Sequence, residues 1–232
     1  MIVVSWNVHD GLEESGRPFN IAAELRDLNP DLLALQEFPL GSDEDTKRLG
    51  IELNLPFSAG WDLEPSEQSG LLMLSRWPIS QVQTVTALPP TRSTIRDHEP
   101  LRAHRKGVLV ASIGSPSGTF RFGCVHLFPF HLFGLPDDTN GAREIWSELA
   151  SQIEGEPHDD LVLAGDFNAP TQLRIAILPS GLYSTTGELS TRTDGRSHDD
   201  ILLGRNWNLL SSGMVTSKSD HFVCWSSIEN SN

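Results

Sequence analysis

Short apolar runs rich in valine, isoleucine and leucine recur from one end of the chain to the other, with turn signals between them. Runs this short, bounded by Gly, Pro, Asn and Asp, read as strands rather than helices. Met1 to Trp6 is a buried strand that ends in the turn Asn7-Val8-His9-Asp10-Gly11, and Asp31 to Gln36 is a second. Leu71–Leu74 and Gln81–Leu88 flank the Arg76-Trp77-Pro78 turn, and Gly107–Ile113 and Phe120–Leu127 form a hairpin. Leu161–Ala164, Asp200–Leu203, Trp207–Met214 and Phe222–Trp225 are the late strands. Helical periodicity is confined to two segments. Pro18 to Leu28 opens on a proline, and Ala142, Ile145, Trp146, Leu149 and Ile153 make an apolar stripe. About ten strands with so few helices predict two packed sheets with helices outside, a single mixed domain over residues 1–225, and a polar, frayed tail over 226–232.

Charge narrows the function. The 232 residues carry 17 Lys and Arg against 31 Asp and Glu, a net charge of −14. Non-specific nucleic-acid binding rests on Lys and Arg neutralising phosphates, so a protein that coats DNA or RNA is disfavoured. An enzyme that grips one phosphate locally, through a metal, is not. Residues 92–106 form the basic cluster of the sequence, with Arg92, Arg96, Arg102, Arg105 and Lys106. No apolar run reaches the length of a membrane span, and the N-terminus has no basic region ahead of an apolar stretch. Two cysteines, Cys124 and Cys224, make no disulfide framework, which together with the N-terminus predicts a reducing, cytoplasmic location.

Residues that chemistry can use fall repeatedly at strand ends. Asn7 follows the first strand and Glu37 the second, His126 closes the hairpin, Asp166 and Asn168 follow the next strand, and Asp220-His221 precede the last. A carboxylate after a strand is usually only the first solvated residue. These positions together, holding only Asn, Glu, His and Asp and gathered at one edge, would instead suit a hard cation such as Mg²⁺.

The segments Ser5-Trp6-Asn7-Val8, Leu35-Gln36-Glu37, Gly70 to Ile79, Val125-His126-Leu127, Gly165-Asp166-Phe167-Asn168, His198 to Leu202 and Ser219-Asp220-His221 occur in that order. In this the chain resembles the endonuclease/exonuclease/phosphatase superfamily, in its deoxyribonuclease-like and sphingomyelinase-like branch. The resemblance implies an α+β fold, a four-layer α/β sandwich of two packed mixed β-sheets flanked by helices. It implies a metal-dependent hydrolase acting on phosphate esters, with Mg²⁺ or Mn²⁺ as cofactor. Glu37 would be the main metal ligand with Asn7 beside it. Asp166 and Asn168 would hold a second metal, or the nucleophile and a phosphoryl oxygen. His221 would be the general base that deprotonates the attacking water, or the group on the opposite side of the phosphorus, oriented by Asp199 and adjoined by Asp220, which we also place among the metal ligands. His126 would protonate the leaving alkoxide of a diester, with a carboxylate partner expected near Ser69 or Glu67. Pro39 stands where deoxyribonuclease-like enzymes have a substrate-binding arginine, and Arg105 is the candidate replacement.

The loop Phe128 to Pro136 reads most simply as a segment packed under itself, although an exposed version could meet a base or a lipid. The leading expectation is a phosphodiesterase of nuclease type, with DNA or RNA among its candidate substrates. A phosphomonoesterase or sphingomyelinase-like phospholipid hydrolase is the enzymatic alternative. A catalytically inactive binding module is disfavoured, because every motif residue is present.

Overall fold

The apolar runs fold as strands and as the inward stripes of a few helices. The computed structural model describes residues 1–64, 69–87, 95–96, 99–100, 106–130, 140–153, 158–178 and 181–231. The first half comprises β1 (Ile2–Asn7), α1 (Ile21–Leu25), β2 (Leu32–Pro39), α2 (Asp43–Leu53), β3 (Phe57–Glu64), β4 (Ser69–Ser75) and β5 (Ile79–Ala87). Two short strands follow, β6 (Ile95–Arg96) and β7 (Glu99–Pro100), and then the hairpin of β8 (Lys106–Ser115) and β9 (Gly118–His126). The rest is α3 (Asn140–Ile153), β10 (Leu161–Asp166), α4 (Thr171–Ile177), β11 (Tyr183–Ser184), β12 (Asp199–Leu203), β13 (Trp207–Val215) and β14 (Val223–Asn230).

Two six-stranded sheets result, in the orders β13-β14-β1-β2-β4-β3 and β11-β12-β10-β9-β8-β5. Both are mixed in the same way. Each holds one parallel pair at its centre, β1 with β2 and β9 with β10, and the remaining pairings are antiparallel. Parallel neighbours end on the same edge of a sheet. Each sheet therefore brings two adjacent C-terminal strand ends to one rim.

Alternation sets the layers. Val3 of β1, Phe122 and Cys124 of β9, Val162 and Ala164 of β10 and Ile201 of β12 meet between the sheets. Val4 and Trp6 turn outward under α1 and α2 with Leu25, Leu49 and Leu53. On the other side Val125, Leu161 and Leu163 face the α3 stripe of Ala142, Trp146, Leu149 and Ile153. This is the four-layer α/β sandwich expected from the sequence. Among the described residues no helix is long and apolar enough to cross a membrane.

Some expectations need correction. Residues 226–230 are no frayed tail: they continue β14, pair with both β1 and β13, and bury Ser226 and Ile228. Their alternation is hidden because Ser226 faces inward as a polar residue, with its hydroxyl on Thr185 Oγ1 at 2.8 Å. The first helix is shorter than the segment from Pro18: it starts after Asn20, whose side chain caps the Ala23 N–H, and closes in a 3₁₀ turn before Asn29. Of the Phe128–Pro136 loop, Phe128 and Phe130 are buried against α3 residues, and the stretch from His131 onward lies outside the described residues.

Gly165 shows how tightly the central parallel pair is drawn. A Cβ there would collide with the carbonyl oxygen and backbone of Val125 on β9. Gly165→Ala is therefore expected to destabilise the protein by about 1–3 kcal/mol through forced separation of β9 and β10. Urea denaturation of the two proteins measures it, and an unchanged midpoint would contradict the close approach.

Candidate active site

The site is the last layer of the inter-sheet core. Along β9 the inward series runs Phe122, Cys124, His126; along β10 it runs Val162, Ala164, Asp166; along β12 it runs Leu203, Ile201, Asp199. Register locks these into rows: Phe122, Val162 and Leu203; then Cys124, Ala164 and Ile201; then His126, Asp166 and Asp199. On the facing sheet Val3, Ser5 and Asn7 follow the same period along β1. The core thus ends at the rim in a row of polar side chains that remain buried. Asp166 is 1% exposed and Asp199 0%.

Glu37 reaches the site by a different route. Period two places Gln36 inward, where its amide donates to Cys124 Sγ at 3.4 Å, and would send Glu37 outward. The pairing of β2 with β4 slips between Leu35 and Phe38, so Gln36 and Glu37 together oppose Leu71. Such a bulge re-aims the side chain that follows it. Glu37 adopts φ 51°, a left-handed conformation that a non-glycine residue holds only where its surroundings fix it.

Asn7 joins the two sheets. Its Nδ2 donates to Glu37 Oε1 at 3.2 Å and to Asp166 Oδ2 at 3.0 Å, while Oδ1 accepts the His9 N–H at 3.0 Å. With Oδ1 so engaged, Asn7 presents its amide nitrogen to the carboxylates and spaces them. Asn168, at φ 50°, gives its backbone N–H to Asp166 Oδ1 at 2.8 Å and its side-chain Nδ2 to Leu127 O at 2.9 Å. That ties the Asp166 loop to the end of β9. His126 Nε2 stands 3.6 Å from Glu37 Oε1 and 3.7 Å from Asp166 Oδ2. Lys106 Nζ lies 3.1 and 3.2 Å from the two ring nitrogens of His126.

His221 comes from the loop before β14. Ser219 fixes that loop by donating to Asn7 O at 2.8 Å and accepting the His221 N–H, and Trp6 Nε1 donates to His221 O at 3.2 Å. The imidazole Nδ1 lies 2.8 Å from Asp199 Oδ2, which also accepts from Thr191 Oγ1 at 2.8 Å. Nε2 points to Asp166 Oδ2 at 3.8 Å. Arg192 donates from Nη1 to this same Nε2 and from Nη2 to Asp220 Oδ2 at 2.7 Å. Burial pushes the His221 pKa down, but the charges of Asp199 and Asp166 outweigh burial and Arg192 and hold it up to about 9. An imidazolium has no lone pair for a guanidinium, so the Arg192 contact belongs to neutral His221.

A buried ion pair braces the Asp166 loop from behind. Arg174 of α4 and Asp200 of β12 are both inaccessible, 2.9 Å apart, and Asp200 Oδ2 also accepts from Ser184 Oγ at 2.6 Å. Arg174 donates to the carbonyls of Ala169 and Ser197 and to Thr171 Oγ1, and its guanidinium lies over the Phe167 ring.

The structure gathers Asn7, Glu37, His126, Asp166, Asn168, Asp199, Asp220 and His221 at one rim. Asp166, Asp199 and His221 offer ligand atoms within 4.8 Å of one another. Arg105 and Glu67 lie outside the described residues. Asp10 is drawn to the rim: burial raises its carboxyl above the usual range, against a hydrogen bond from Ser69, with Glu37 repelling it. Three further residues join the site: Lys106, and Arg174 and Arg192, which no motif in the sequence marks. Lys106 was legible as part of the basic cluster, whereas Arg174 and Arg192 sit in stretches whose only signal is a basic residue near a motif.

The sequence matches the profile of the Endonuclease/Exonuclease/phosphatase family over residues 4–221. A search among curated proteins finds no match. Among solved structures, an endonuclease/exonuclease/phosphatase from Beutenbergia cavernae superposes with a TM-score of 0.74 at 18% identity, covering 99% of this chain and 71% of that one. A 3′-5′ exonuclease from Neisseria meningitidis gives 0.67 at 18% identity, covering 99% of this chain and 100% of that one. The human Nocturnin catalytic domain with bound sulfate gives 0.66 at 17% identity, covering 99% and 94%. At these identities the likeness is one of fold.

His198, beside the dyad, yields a pH prediction. Burial is the main cause that lowers its pKa to about 4, and Arg192 and His221 add to it against Asp166. The unfolded chain takes up a proton near the ordinary pH 6.5 and the folded chain does not, so stability falls as pH drops from about 6.5 to 4. His198→Gln removes about 3 kcal/mol of that loss, read as a flatter urea-midpoint profile over this window. An unaltered profile would contradict the buried neutral imidazole.

Proposed function

The chain belongs to the endonuclease/exonuclease/phosphatase family, and from that premise we propose that it is a phosphodiesterase of nuclease type, dependent on Mg²⁺ or Mn²⁺, that uses water as nucleophile. The observation that carries this reading is Asp166 Oδ2 standing between two imidazoles, 3.7 Å from His126 Nε2 and 3.8 Å from His221 Nε2. In-line displacement at phosphorus calls for one group that takes a proton from the attacking oxygen and another that gives one to the leaving oxygen. A diester leaves as an alkoxide, so the second group matters most there. The solved relative described as a 3′-5′ exonuclease lends support to the nuclease side.

The donor set fits a hard divalent ion. Glu37 and Asp166 present carboxylate oxygens at a rim whose neighbouring anions are buried, and a buried carboxylate without a cation is costly. Bound there, the ion would supply positive charge to the phosphoryl oxygens as they gain charge in the transition state.

The chain's own groups do the rest. Asp199 keeps a proton on His221 Nδ1, so that in the neutral ring Nε2 can accept the water proton once Arg192 has turned from it to the substrate phosphate, and the Asp199 charge stabilises the imidazolium that forms. Asn7 spaces Glu37 from Asp166, and Asn168 fixes the Asp166 carboxylate through its backbone N–H. His126 Nε2 donates to the leaving oxygen, with Lys106 beside the ring to offset charge on that oxygen. Arg105 and the rest of the 92–106 cluster are proposed to meet further phosphates of the substrate. The −14 charge favours a substrate held at the scissile phosphate over one bound along its length.

Offered plasmid DNA, single-stranded DNA, RNA, bis-p-nitrophenyl phosphate, p-nitrophenyl phosphate and sphingomyelin, the protein is expected to cut a nucleic acid and the diester with Mg²⁺ or Mn²⁺ and neither with EDTA. His221→Ala lowers kcat/KM by about 10²–10⁴-fold. Consumption of only the monoester or only the lipid would contradict the nuclease reading. Metal-independent turnover would contradict the cofactor.

A further inference from the structure

Arg192 enters the site from the side of Asp220. Its backbone bridges that of His221, and the adjacent Thr191 anchors the loop by donating to Asp199 and accepting the N–H groups of His198 and Asp199. Asp220, Asp166, Asp194 and Asp199 all act on its charge. The guanidinium is held by Asp220 Oδ2 at 2.7 Å and by His221 Nε2, with its side chain 20% exposed.

The place it fills has the form of a cation site. His221 Nε2 is 3.8 Å from Asp166 Oδ2 and 4.0 Å from Asp220 Oδ2. Ligands on one ion, at bonds of about 2.1 Å, stand about 3 Å apart when adjacent and about 4.2 Å when opposite. His221 Nε2 is therefore spaced to share an ion with the Asp166 oxygen or with the Asp220 oxygen, were the guanidinium absent. Asp166 also belongs to the pairing with Glu37 on the far side of Asn7. A cation between Glu37 and Asp166 and one at His221 would both draw on Asp166, and a basic side chain already stands at the second place.

We propose that Arg192 takes the place of a second divalent ion, so that the site binds a single metal between Glu37 and Asp166 while the guanidinium supplies the other positive charge facing the phosphoryl group. This rests on the phosphoesterase reading above and assigns the cations within it. A guanidinium suits the task because it is always charged and its planar fork matches two oxygens of a carboxylate or of a phosphate alike. Asp220 then serves as the holder of Arg192 rather than as a metal ligand, and substrate phosphate exchanges for Asp220 on the same fork. A guanidinium cannot acidify water as a metal does. Proton removal consequently falls to His221, whose Nε2 is freed when the guanidinium turns to the phosphate, with Asp199 2.8 Å from its other nitrogen.

Mn²⁺ binding to the metal-stripped full chain, followed by the electron paramagnetic resonance signal of the free ion, counts sites without any turnover. Wild type is expected to bind one Mn²⁺, Arg192→Lys one, and Arg192→Met two. Glu37→Gln loses the tight site, and Asp220→Asn keeps one site with affinity within about threefold, since a true ligand or its direct support costs about tenfold or more. Two ions on wild type, or one on folded Arg192→Met, overturns the assignment while the phosphoesterase reading stands. Should Arg192→Met fail to fold by circular dichroism, the Asp220→Asn protein decides: unchanged affinity supports the proposal and a loss of about tenfold or more overturns it. Wild type that binds no Mn²⁺ removes the metal-dependent reading, and the assignment of Arg192 with it.

Discussion

One side-chain amide joins the two sheets at the polar end of their shared core. Asn7 ends a strand of one sheet and donates through a single nitrogen to Glu37 of that sheet and to Asp166 of the other. Everything else at the rim is arranged around the spacing it sets. The two central parallel pairs deliver adjacent strand ends to that height, the β2 bulge turns Glu37 inward, and Ser219 fastens the His221 loop to the Asn7 carbonyl. A sandwich core whose last row is polar while still covered holds buried carboxylates. Such groups are costly unless a cation answers them, and the same cost makes them effective at binding one.

The chain answers this demand with its own cations as well as with the ion proposed. Lys106 lies against His126, Arg192 against His221 and Asp220, and Arg174 against Asp200 in the layer behind. Each of these cations supports a different motif. A protein of net charge −14 thus places basic groups inside its acidic rim, where they act over short distances. This reconciles an acidic surface with chemistry on an anionic substrate.

Much of the fold was legible because the strands of the inner layers are apolar in both directions or alternate cleanly. What escaped notice did so for physical reasons. Helix α2 buries only Leu49, Gly50 and Leu53 of eleven residues, with acids filling its first turn, so its stripe is too sparse to read. Strand β3 is an edge strand paired only with β4 and carries Ser58, Gly60 and Asp62 between its apolar residues. The end of β14 hides Ser226 inside. At the site, the residues at strand ends were visible from their motifs. Glu37 was visible as a residue while its bulge was not, since period two alone sends it outward. Arg174 and Arg192 act from a short helix and a loop, where no periodicity marks which side chain turns in.

The polar end of the inter-sheet core is proposed to hold one hard cation between Glu37 and Asp166. Anomalous diffraction from crystals equilibrated with Mn²⁺ tests it most directly. A single anomalous peak is expected within bonding distance of the Glu37 and Asp166 carboxylates, with Arg192 still on Asp220. A peak between Asp220 and His221, or none at the rim, would contradict it.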